Sequence, residues 1–250
     1  MLDKKISVVI PCFNEGKTIH QNILKINRYL EKNIAFYEII AVNDGSRDNT
    51  LSELQKAQKE VSLQIISHPQ NEGKGQAVRN GILASQNELV MFLDADLAIP
   101  IEELEKFLAE IDQDYDLVIA SRFVPGLKVL CPVLWYRKIM ERVFRILRMV
   151  ILNNWKVRDT QCGFKVFRTS VALKIFSMST VKRFAFDAEI IFIAKKFGYA
   201  IKELPVTLQN PEKSHVRLFR DPVNMFFSLL EIRWNDLTRK YKWKQNARFR

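Results

Sequence analysis

The chain has 250 residues, 48% of them apolar and 17 of them Phe, which suffices for one large domain or at most two small ones with a full core. The chain has three cysteines, Cys12, Cys131 and Cys162. Their odd number and the absence of CxxC spacing argue for neither a disulfide framework nor a zinc site. The opening "MLDKKIS" passes directly into a strand pattern without an apolar signal segment, so we expect the chain to start in the cytosol.

The first half of the chain alternates short apolar runs with helical patterns. The predicted strands, rich in Val and Ile, are residues 6–10, 37–42, 63–67, 88–93 and 115–120. The predicted helices between them are residues 17–32, 48–60, 75–86 and 101–111. Such alternation indicates parallel βαβ units with right-handed crossovers, and the predicted fold class is α/β.

The net charge of +11 is divided unevenly along the chain. Residues 1–120 contain 12 Lys and Arg against 19 Asp and Glu, a net charge of −7. Residues 121–250 contain 27 against 9, a net charge of +18. A half this basic predicts an anionic partner, which is a nucleic acid, an anionic membrane surface or a phosphorylated substrate.

The run "ELVMFLDADLAIP", residues 88–100, places two aspartates at the end of an apolar strand. Residues two apart on a strand point to the same face, so Asp94 and Asp96 repel each other unless a cation joins them. Carboxylates favour Mg²⁺ or Mn²⁺, and phosphate oxygens complete the coordination shell of such ions. We interpret the pair as a clamp for a metal ion and a diphosphate.

Polar segments follow the other predicted strands, at the edge where α/β sheets bind ligands. No GxGxxG or GxxxxGK[ST] loop is present to indicate a dinucleotide or ATP, and the segments are more typical of a nucleotide-sugar pocket. Asp44 and "NEGKG" (71–75) are candidates to hold base, ribose and diphosphate, and Lys74 can approach a phosphate between two glycines. The alternatives are a surface turn at "NEGKG" and helix capping by Ser46 or Asp48.

Seven motifs occur in the order found in the GT-A family 2 glycosyltransferases. They are "VVIPCFNE", "VNDGSRDNT", "NEGKGQAVRNG", "FLDADLAIP", "ASRF", "RDTQCGFKVF" and "FAFDAEI". Over residues 6–220 the chain resembles, more narrowly, the dolichyl-phosphate glucosyltransferases and their bacterial polyprenyl-phosphate relatives. The resemblance implies a GT-A (Rossmann-like), mostly parallel sheet flanked by helices, a donor such as UDP-glucose, a divalent metal and a lipid-phosphate acceptor.

The resemblance also implies roles for individual residues. Those that frame the uracil and ribose are Pro11, Asn14, Glu15 and Asp44, with Lys74 close by. Asp94 and Asp96 would face the ribose and the metal. Gln161 and Gly163 would shape the sugar pocket. Arg122 and Lys165 would lie near the donor or acceptor phosphates. Asp159 and Asp187 would orient the sugar or act as a base, and the alternative is that they pair with nearby arginines.

One departure from the family bears on the choice of sugar. Related mannosyltransferases usually have Gln two residues after the second aspartate of the pair, where this chain has Ala98. We therefore expect glucose from UDP-glucose rather than mannose from GDP-mannose, with inversion at the anomeric carbon. A glycan or protein acceptor is the second hypothesis, and a non-catalytic, nucleic-acid-binding role for the basic half is the third.

Residues 133–152 predict a basic amphipathic helix. Its polar arc contains Arg137, Lys138, Glu141, Arg142, Arg145 and Arg148. Charge interrupts the segment too often for a membrane span, so we expect it to lie in the interface with its arginines on lipid phosphates. Arg137 is also a candidate for the acceptor phosphate. Packing on the protein's own core or on a second copy of the chain is the alternative.

The predicted domain organisation follows from these segments. Residues 1–215 form the catalytic domain, with a nucleotide-sugar-binding half at 1–120 and an acceptor half at 121–215. Residues 216–250 form a basic amphipathic segment whose aromatic residues are typical of headgroup depth. We expect a peripheral protein on the cytoplasmic face of a membrane, possible homo-oligomers and no nucleic-acid partner, since no nucleic-acid fold signature accompanies the basic residues.

Overall fold

The computed structural model describes residues 1–130, 135–153, 155–209 and 220–242. The strands are β1 (Leu2–Cys12), β2 (Ile34–Asn43), β3 (Gln64–Ser67), β4 (Leu89–Leu93), β5 (Leu117–Ser121), β6 (Lys128–Val129), β7 (Phe164–Arg168), β8 (Ile201–Pro205) and β9 (Thr207–Leu208). The helices are α1 (Ile19–Asn33), α2 (Thr50–Glu60), α3 (Lys74–Ala84), α4 (Leu104–Ile111), α5 (Trp135–Ile151), α6 (Thr169–Met178), α7 (Phe186–Lys196) and α8 (Arg220–Leu237). A short 3₁₀ turn at Ile101–Glu103 precedes α4.

Seven strands form one sheet in the order β3-β2-β1-β4-β7-β5-β8. All neighbouring pairs are parallel except those of β7, which runs antiparallel to both β4 and β5. The five predicted strands are β1 to β5, and the predicted α/β class is confirmed. The insertion of β7 was not predicted, and it places the amino end of β7 beside the carboxyl ends of β4 and β5. Residues that precede β7 therefore meet residues that follow β4 and β5.

Both faces of the sheet are covered, which explains why the strands are continuous apolar runs. All five residues of β4 and all five of β5 are buried. On one face Val8 and Ile10 belong to a core that includes α1, α2 and α4. On the other face Val9 packs in a core with residues of α3, α6 and α7. The result is a three-layer α/β/α domain whose loops collect at the carboxyl edge of the parallel strands.

The carboxyl-terminal helix α8 packs against the second of these cores. Leu229 and Ile232 of α8 are buried there, as is Tyr241 after the helix. The predicted boundary between residues 215 and 216 lies outside the described residues. The division into a catalytic domain and a separate carboxyl-terminal segment stays a prediction, although residues 220–242 share the core of the sheet.

Candidate active site

The two aspartates of "LDADL" lie in a turn that begins where β4 ends. The Leu97 amide donates to the Asp94 carbonyl at 3.1 Å, and Leu97 has a left-handed φ of 52°. The Ala98 amide donates to Asp96 Oδ1 at 3.0 Å, which fixes the second carboxylate. The turn, rather than the alternation of a strand, thus brings the two carboxylates together.

The two carboxylates of this turn oppose each other electrostatically. The pKa of Asp96 is raised, first because the side chain is buried and then because the negative charge of Asp94 lies close by. The hydrogen bond from Ala98 and the positive charge of Lys74 only partly offset these effects. A cation between the two carboxylates would remove the repulsion, as the sequence pattern indicates.

Lys74, the first residue of α3, contacts this turn directly. Its Nζ lies 2.5 Å from Asp94 Oδ1, and the two side chains are 23% and 35% exposed. Burial would lower the pKa of Lys74, but the negative charges of Asp94 and then Asp187 outweigh it and raise the pKa overall. Lys74 is therefore a permanent cation at the edge of the sheet where the aspartates lie.

Gly163 presses against Asp94 from the opposite side. The Asp94 amide donates to the Gly163 carbonyl at 3.1 Å. A Cβ atom at position 163 would lie 2.1 Å from Asp94 Oδ2, a distance that no side chain can occupy. Glycine is thus required here by the carboxylate of Asp94. The resemblance placed Gly163 in the sugar pocket, and that role stays a prediction.

Asp187 and Lys165 form a buried ion pair behind Lys74. Lys165 Nζ lies 2.5 Å from Asp187 Oδ1 and donates to the Cys162 carbonyl at 2.6 Å. Burial raises the pKa of Asp187, although the positive charges of Lys165 and Lys74 oppose that shift. The Lys165 side chain is 0% exposed, which corrects the expectation that it lies near a substrate phosphate. A buried ammonium with two partners supports the "QCG" turn instead.

Asp159 forms a bidentate ion pair with Arg122. Arg122 Nε donates to Asp159 Oδ2 at 2.8 Å and Nη2 donates to Oδ1 at 3.1 Å, while Nη1 contacts Glu141 of α5 at 2.5 Å. Burial would raise the pKa of Asp159, but the adjacent guanidinium and its hydrogen bonds lower it overall. The geometry matches the salt-bridge alternative for Asp159, and Arg122 links the end of β5 to α5.

Asp44 organises the "NEGKG" loop from beneath. Its carboxylate is buried and accepts hydrogen bonds from Asn71 Nδ2 (2.8 Å), the Glu72 amide (2.9 Å) and the Gly73 amide (2.8 Å). It also lies 2.8 Å from His68 Nδ1. "NEGKG" is therefore more than a surface turn, because its backbone is anchored to Asp44. Asn71 belongs to the predicted segment, whereas sequence reasoning did not find His68, which lies 24 residues from Asp44.

The loops after β1 and β2 hold each other at the same edge. Asn14 has a φ of 57° and accepts a hydrogen bond from the Arg47 amide at 2.9 Å. The Glu15 amide donates to Thr50 Oγ1 at 2.8 Å, while Asp48 accepts from the amides of Thr50 and Gly16 at 3.0 Å. Asp48 thus supports the start of α2 from outside the helix, because the N-cap residue is Asn49 and it makes no side-chain capping hydrogen bond. Pro11 lies two residues before these loops, opposite Val42 of β2.

Gln161 carries a buried donor with no partner. The backbone amide of Gln161 donates to Asp159 Oδ1 at 2.9 Å. Among the residues that the structure describes, its side-chain Nε2 has no hydrogen-bond acceptor. Buried polar groups are ordinarily paired, and either a water molecule or a ligand group can supply the acceptor for this donor. The predicted position of Gln161 in a sugar pocket agrees with that geometry and stays a prediction.

The sequence of the chain matches the model of a known protein family. Residues 7–176 match the family model described as Glycosyl transferase family 2. The chain belongs to glycosyltransferase family 2. It is therefore a glycosyltransferase, and the predicted membership is confirmed.

Two relatives cover most of the chain. A human protein named dolichyl-phosphate β-glucosyltransferase is 34% identical over 98% of this chain and 80% of its own length. A Saccharomyces cerevisiae protein of the same name is 32% identical over 91% of this chain and 74% of its own length. The resemblance to that narrower group, expected from the seven motifs, is confirmed.

Solved structures share the fold at low sequence identity. Glucosyl-3-phosphoglycerate synthase from Mycobacterium tuberculosis, in complex with Mn²⁺, UDP and phosphoglyceric acid, superposes with a TM-score of 0.69 at 19% identity. The match covers 95% of this chain and 78% of that one. Mannosyl-3-phosphoglycerate synthase from Rubrobacter xylanophilus gives a TM-score of 0.67 at 18% identity, over 98% of this chain and 77% of that one. The predicted GT-A fold is confirmed.

The residues of this family 2 transferase fit a divalent cation. Asp94 and Asp96 supply hard carboxylate oxygens, and burial followed by the charge of Asp94 raises the pKa of Asp96, two effects that a bound cation would oppose. Over residues 1–130, 135–153, 155–209 and 220–242 there is no cluster of three His, Cys, Asp or Glu side chains suited to a metal. A cation held here would therefore need phosphate oxygens or water in its shell.

Helix α5 is oriented differently from the expectation. Arg148 is 1% exposed and its Nη2 donates to the carbonyls of Val157 (2.9 Å) and Arg158 (3.3 Å). Arg145 lies over the Phe123 ring at 4.3 Å. Arg148 therefore cannot contact lipid, which corrects its place in an exposed basic face. The side chain of Arg137, the candidate for the acceptor phosphate, lies outside the described residues.

Apolar side chains of α5 and α8 remain exposed. On α5 they are Ile139, Val143, Ile146 and Val150, and on α8 they are Val223, Phe227, Leu230, Trp234 and Leu237. The two helices pack against each other, so these residues belong to neighbouring elements. None of the described helices has the length and apolar character needed to cross a bilayer.

Proposed function

We propose that this transferase moves glucose from UDP-glucose to a polyprenyl or dolichyl phosphate, in a metal-dependent reaction that inverts the anomeric centre. The observation that carries the proposal is the cluster of Asp94, Asp96 and Lys74 at the carboxyl edge of the sheet. Carboxylates for a cation and an ammonium for a diphosphate are what a nucleotide-sugar donor requires. The names of the human and yeast relatives support the glucose donor and the dolichyl-phosphate acceptor.

The donor lies along the loops that Asp44 and Asn14 organise. Asp44 holds the backbone of "NEGKG", and this places Lys74 beside Asp94. Lys74 binds the diphosphate, and the open Nε2 of Gln161 donates to a hydroxyl of the sugar. When bound, Mg²⁺ or Mn²⁺ held by Asp94 and Asp96 neutralises the diphosphate and assists the departure of UDP.

The acceptor needs little help from a base. A phosphate monoester has a second pKa of about 6, so at neutral pH its oxygens are already nucleophilic. One oxygen forms a bond to the anomeric carbon while the bond from that carbon to the diphosphate breaks, and UDP leaves with the electron pair. In-line displacement converts an α-linked donor into a β-linked product. Asp159 and Asp187, each engaged in an ion pair, position neighbouring cations in this scheme.

Basic side chains counter the charge of the incoming phosphate. Arg122 lies at the carboxyl end of β5 and is partly exposed, and Arg137 lies on the first turn of α5. Since Arg122 already binds Asp159 and Glu141, its position is fixed before the acceptor arrives. Two anionic substrates repel each other, and a preorganised cation such as Arg122 lowers the cost of their approach.

The exposed apolar side chains of α5 and α8 are proposed to rest on an anionic membrane surface at its cytoplasmic face. An acceptor with a prenyl chain resides in a bilayer, so the enzyme must reach it there. Apolar side chains at the acyl boundary and basic residues near headgroups are the features that hold a helix in the interface. A second copy of the chain is the alternative occupant of these helices.

A transfer assay tests the proposed function. The protein is incubated with Mn²⁺, a short-chain prenyl phosphate and either UDP-glucose or GDP-mannose, and the product is characterised by mass spectrometry and anomeric NMR. We expect a β-linked glucosyl phosphate product from UDP-glucose. A mannosyl product alone would shift the donor to GDP-mannose. Transfer only to a glycan or protein acceptor would contradict the lipid-phosphate acceptor.

A further inference from the structure

Lys74 already neutralises part of the charge that a cation would meet at Asp94. Its Nζ lies 2.5 Å from Asp94 Oδ1. A divalent cation bound to the same carboxylate would lie close to this ammonium, and two like charges at such a distance repel each other. Lys74 and a divalent cation therefore compete for the charge of Asp94.

The backbone that carries Lys74 is fixed, so only its side chain can leave. The Gly73 amide is bound to Asp44, and the amides of Gln76 and Ala77 donate to the Gly73 carbonyl at 3.0 and 3.1 Å. The Gln76 amide also donates to the Lys182 carbonyl at 3.0 Å. The Lys74 side chain is 23% exposed and its four-carbon stem is flexible, so the ammonium can change partner without a movement of the backbone.

Lys74 remains charged with either anionic partner, because an ammonium of this type has an ordinary pKa of about 10 and is protonated at neutral pH. A mobile cation next to a diphosphate site exchanges one anionic partner for another rather than losing its charge. The new partner is the donor's diphosphate, whose oxygens accept the same ammonium donors as Asp94.

We infer that Lys74 is an internal counter-ion, held on Asp94 until the diphosphate of the donor draws it away and so frees Asp94 for the divalent cation. This inference rests on the proposed function and assigns Lys74 a second role within it. Nucleotide and cation then bind cooperatively through Lys74, in addition to any direct contact between them. Linkage requires each ligand to strengthen the binding of the other by the same factor.

Replacing Lys74 with Met should change the affinities for Mn²⁺ and for UDP in opposite directions. Met keeps the length of the stem and removes the competing charge. Without nucleotide, Mn²⁺ should bind Lys74→Met more tightly than the wild type, by about tenfold for the loss of one close cation. Without metal, UDP should bind the variant more weakly, while uridine, which has no phosphate, should bind both equally. Free Mn²⁺ is measured by electron paramagnetic resonance and nucleotide binding by calorimetry.

Two controls separate charge from shape. Lys74→Arg retains the cation and should keep the weak Mn²⁺ binding of the wild type. Lys182→Met removes a nearby exposed cation that pairs with Glu72, and it should leave Mn²⁺ binding unchanged. If Lys74 only maintains the loop, Lys74→Met weakens both ligands, and the inference is wrong. If the wild type binds no Mn²⁺ even with UDP, the proposed metal dependence fails instead.

Discussion

Arg122 and Asp159 face each other across the end of β5 with two parallel hydrogen bonds of 2.8 and 3.1 Å, and the Arg122 amide donates a third at 3.0 Å. The carboxylate is nearly fully buried, whereas the guanidinium is partly exposed. This pair connects the segment before β7 to the residue after β5. It also carries the contact from Arg122 to Glu141 on α5.

Removing the charge of Asp159 should therefore destabilise the protein. Asp159→Asn leaves the guanidinium without its principal partner, and breaking a buried pair costs about 3 to 5 kcal/mol of unfolding free energy. Since the pKa of Asp159 is lowered in the fold, its stabilisation is present above the ordinary carboxyl range and is lost as the pH falls through the lowered value. Urea unfolding at pH 7 measures the loss. A variant as stable as the wild type would exclude this role.

Tyr241 should contribute to stability through Glu189. The Tyr241 hydroxyl donates to the buried Glu189 carboxylate at 2.8 Å, and that carboxylate also accepts from the amides of Thr180 and Val181. Tyr241→Phe removes one donor and should cost about 1 to 3 kcal/mol. Tyr199→Phe is the control, because among the described residues the Tyr199 hydroxyl has no hydrogen-bond partner. Equal thermal unfolding of the two variants would contradict the assignment.

Arg148 should behave as a core residue rather than as a lipid contact. Its guanidinium binds the carbonyls of residues 157 and 158, so Arg148→Gln should leave those carbonyls unpaired and lower the unfolding free energy by about 2 kcal/mol. Arg142→Gln on the exposed face of the same helix should change stability by less than about 0.5 kcal/mol. Differential scanning calorimetry compares the two variants, and equal midpoints of thermal unfolding would contradict the core role of Arg148.

The exposed apolar side chains of α5 should bind lipid vesicles. Replacing Ile139, Val143 and Ile146 together with Gln removes apolar area from an exposed face, so folding should be unaffected while flotation with phosphatidylcholine–phosphatidylglycerol vesicles is lost. Phe36→Gln, at an exposed position on β2, is the matched control and should float as the wild type does. If the wild type fails to float and forms a dimer that the triple variant abolishes, a second copy covers these helices.

The sequence predicted the parts of the fold that depend on local pattern. The five apolar runs became β1 to β5, because strands buried on both faces are continuously apolar over a few residues. The aspartates at the end of β4 also lie where expected. The antiparallel β7 was missed, because alternation of strands and helices predicts only parallel pairs. Its position matters, since it places Gly163 against Asp94.

Contacts between distant residues could not be predicted. A helical period separates two faces of α5 but does not say which face the core covers, and Arg148 was assigned to the wrong side for that reason. Lys165 is basic and near a family motif, yet its partner Asp187 is 22 residues away and only the fold brings them together. The same holds for the ring of donors around Asp44.

The most direct test of the account is glucosyl transfer from UDP-glucose to a short prenyl phosphate by Asp96→Asn. The change keeps the oxygen that accepts from the Ala98 amide and removes a charge that burial and Asp94 both disfavour, so thermal stability should be equal to or above that of the wild type. Turnover and Mn²⁺-dependent UDP binding should be lost, while Asp114→Asn, at a fully exposed side chain, should retain both. Full turnover by Asp96→Asn at saturating Mn²⁺ would contradict the assignment of Asp94 and Asp96 to the metal and diphosphate.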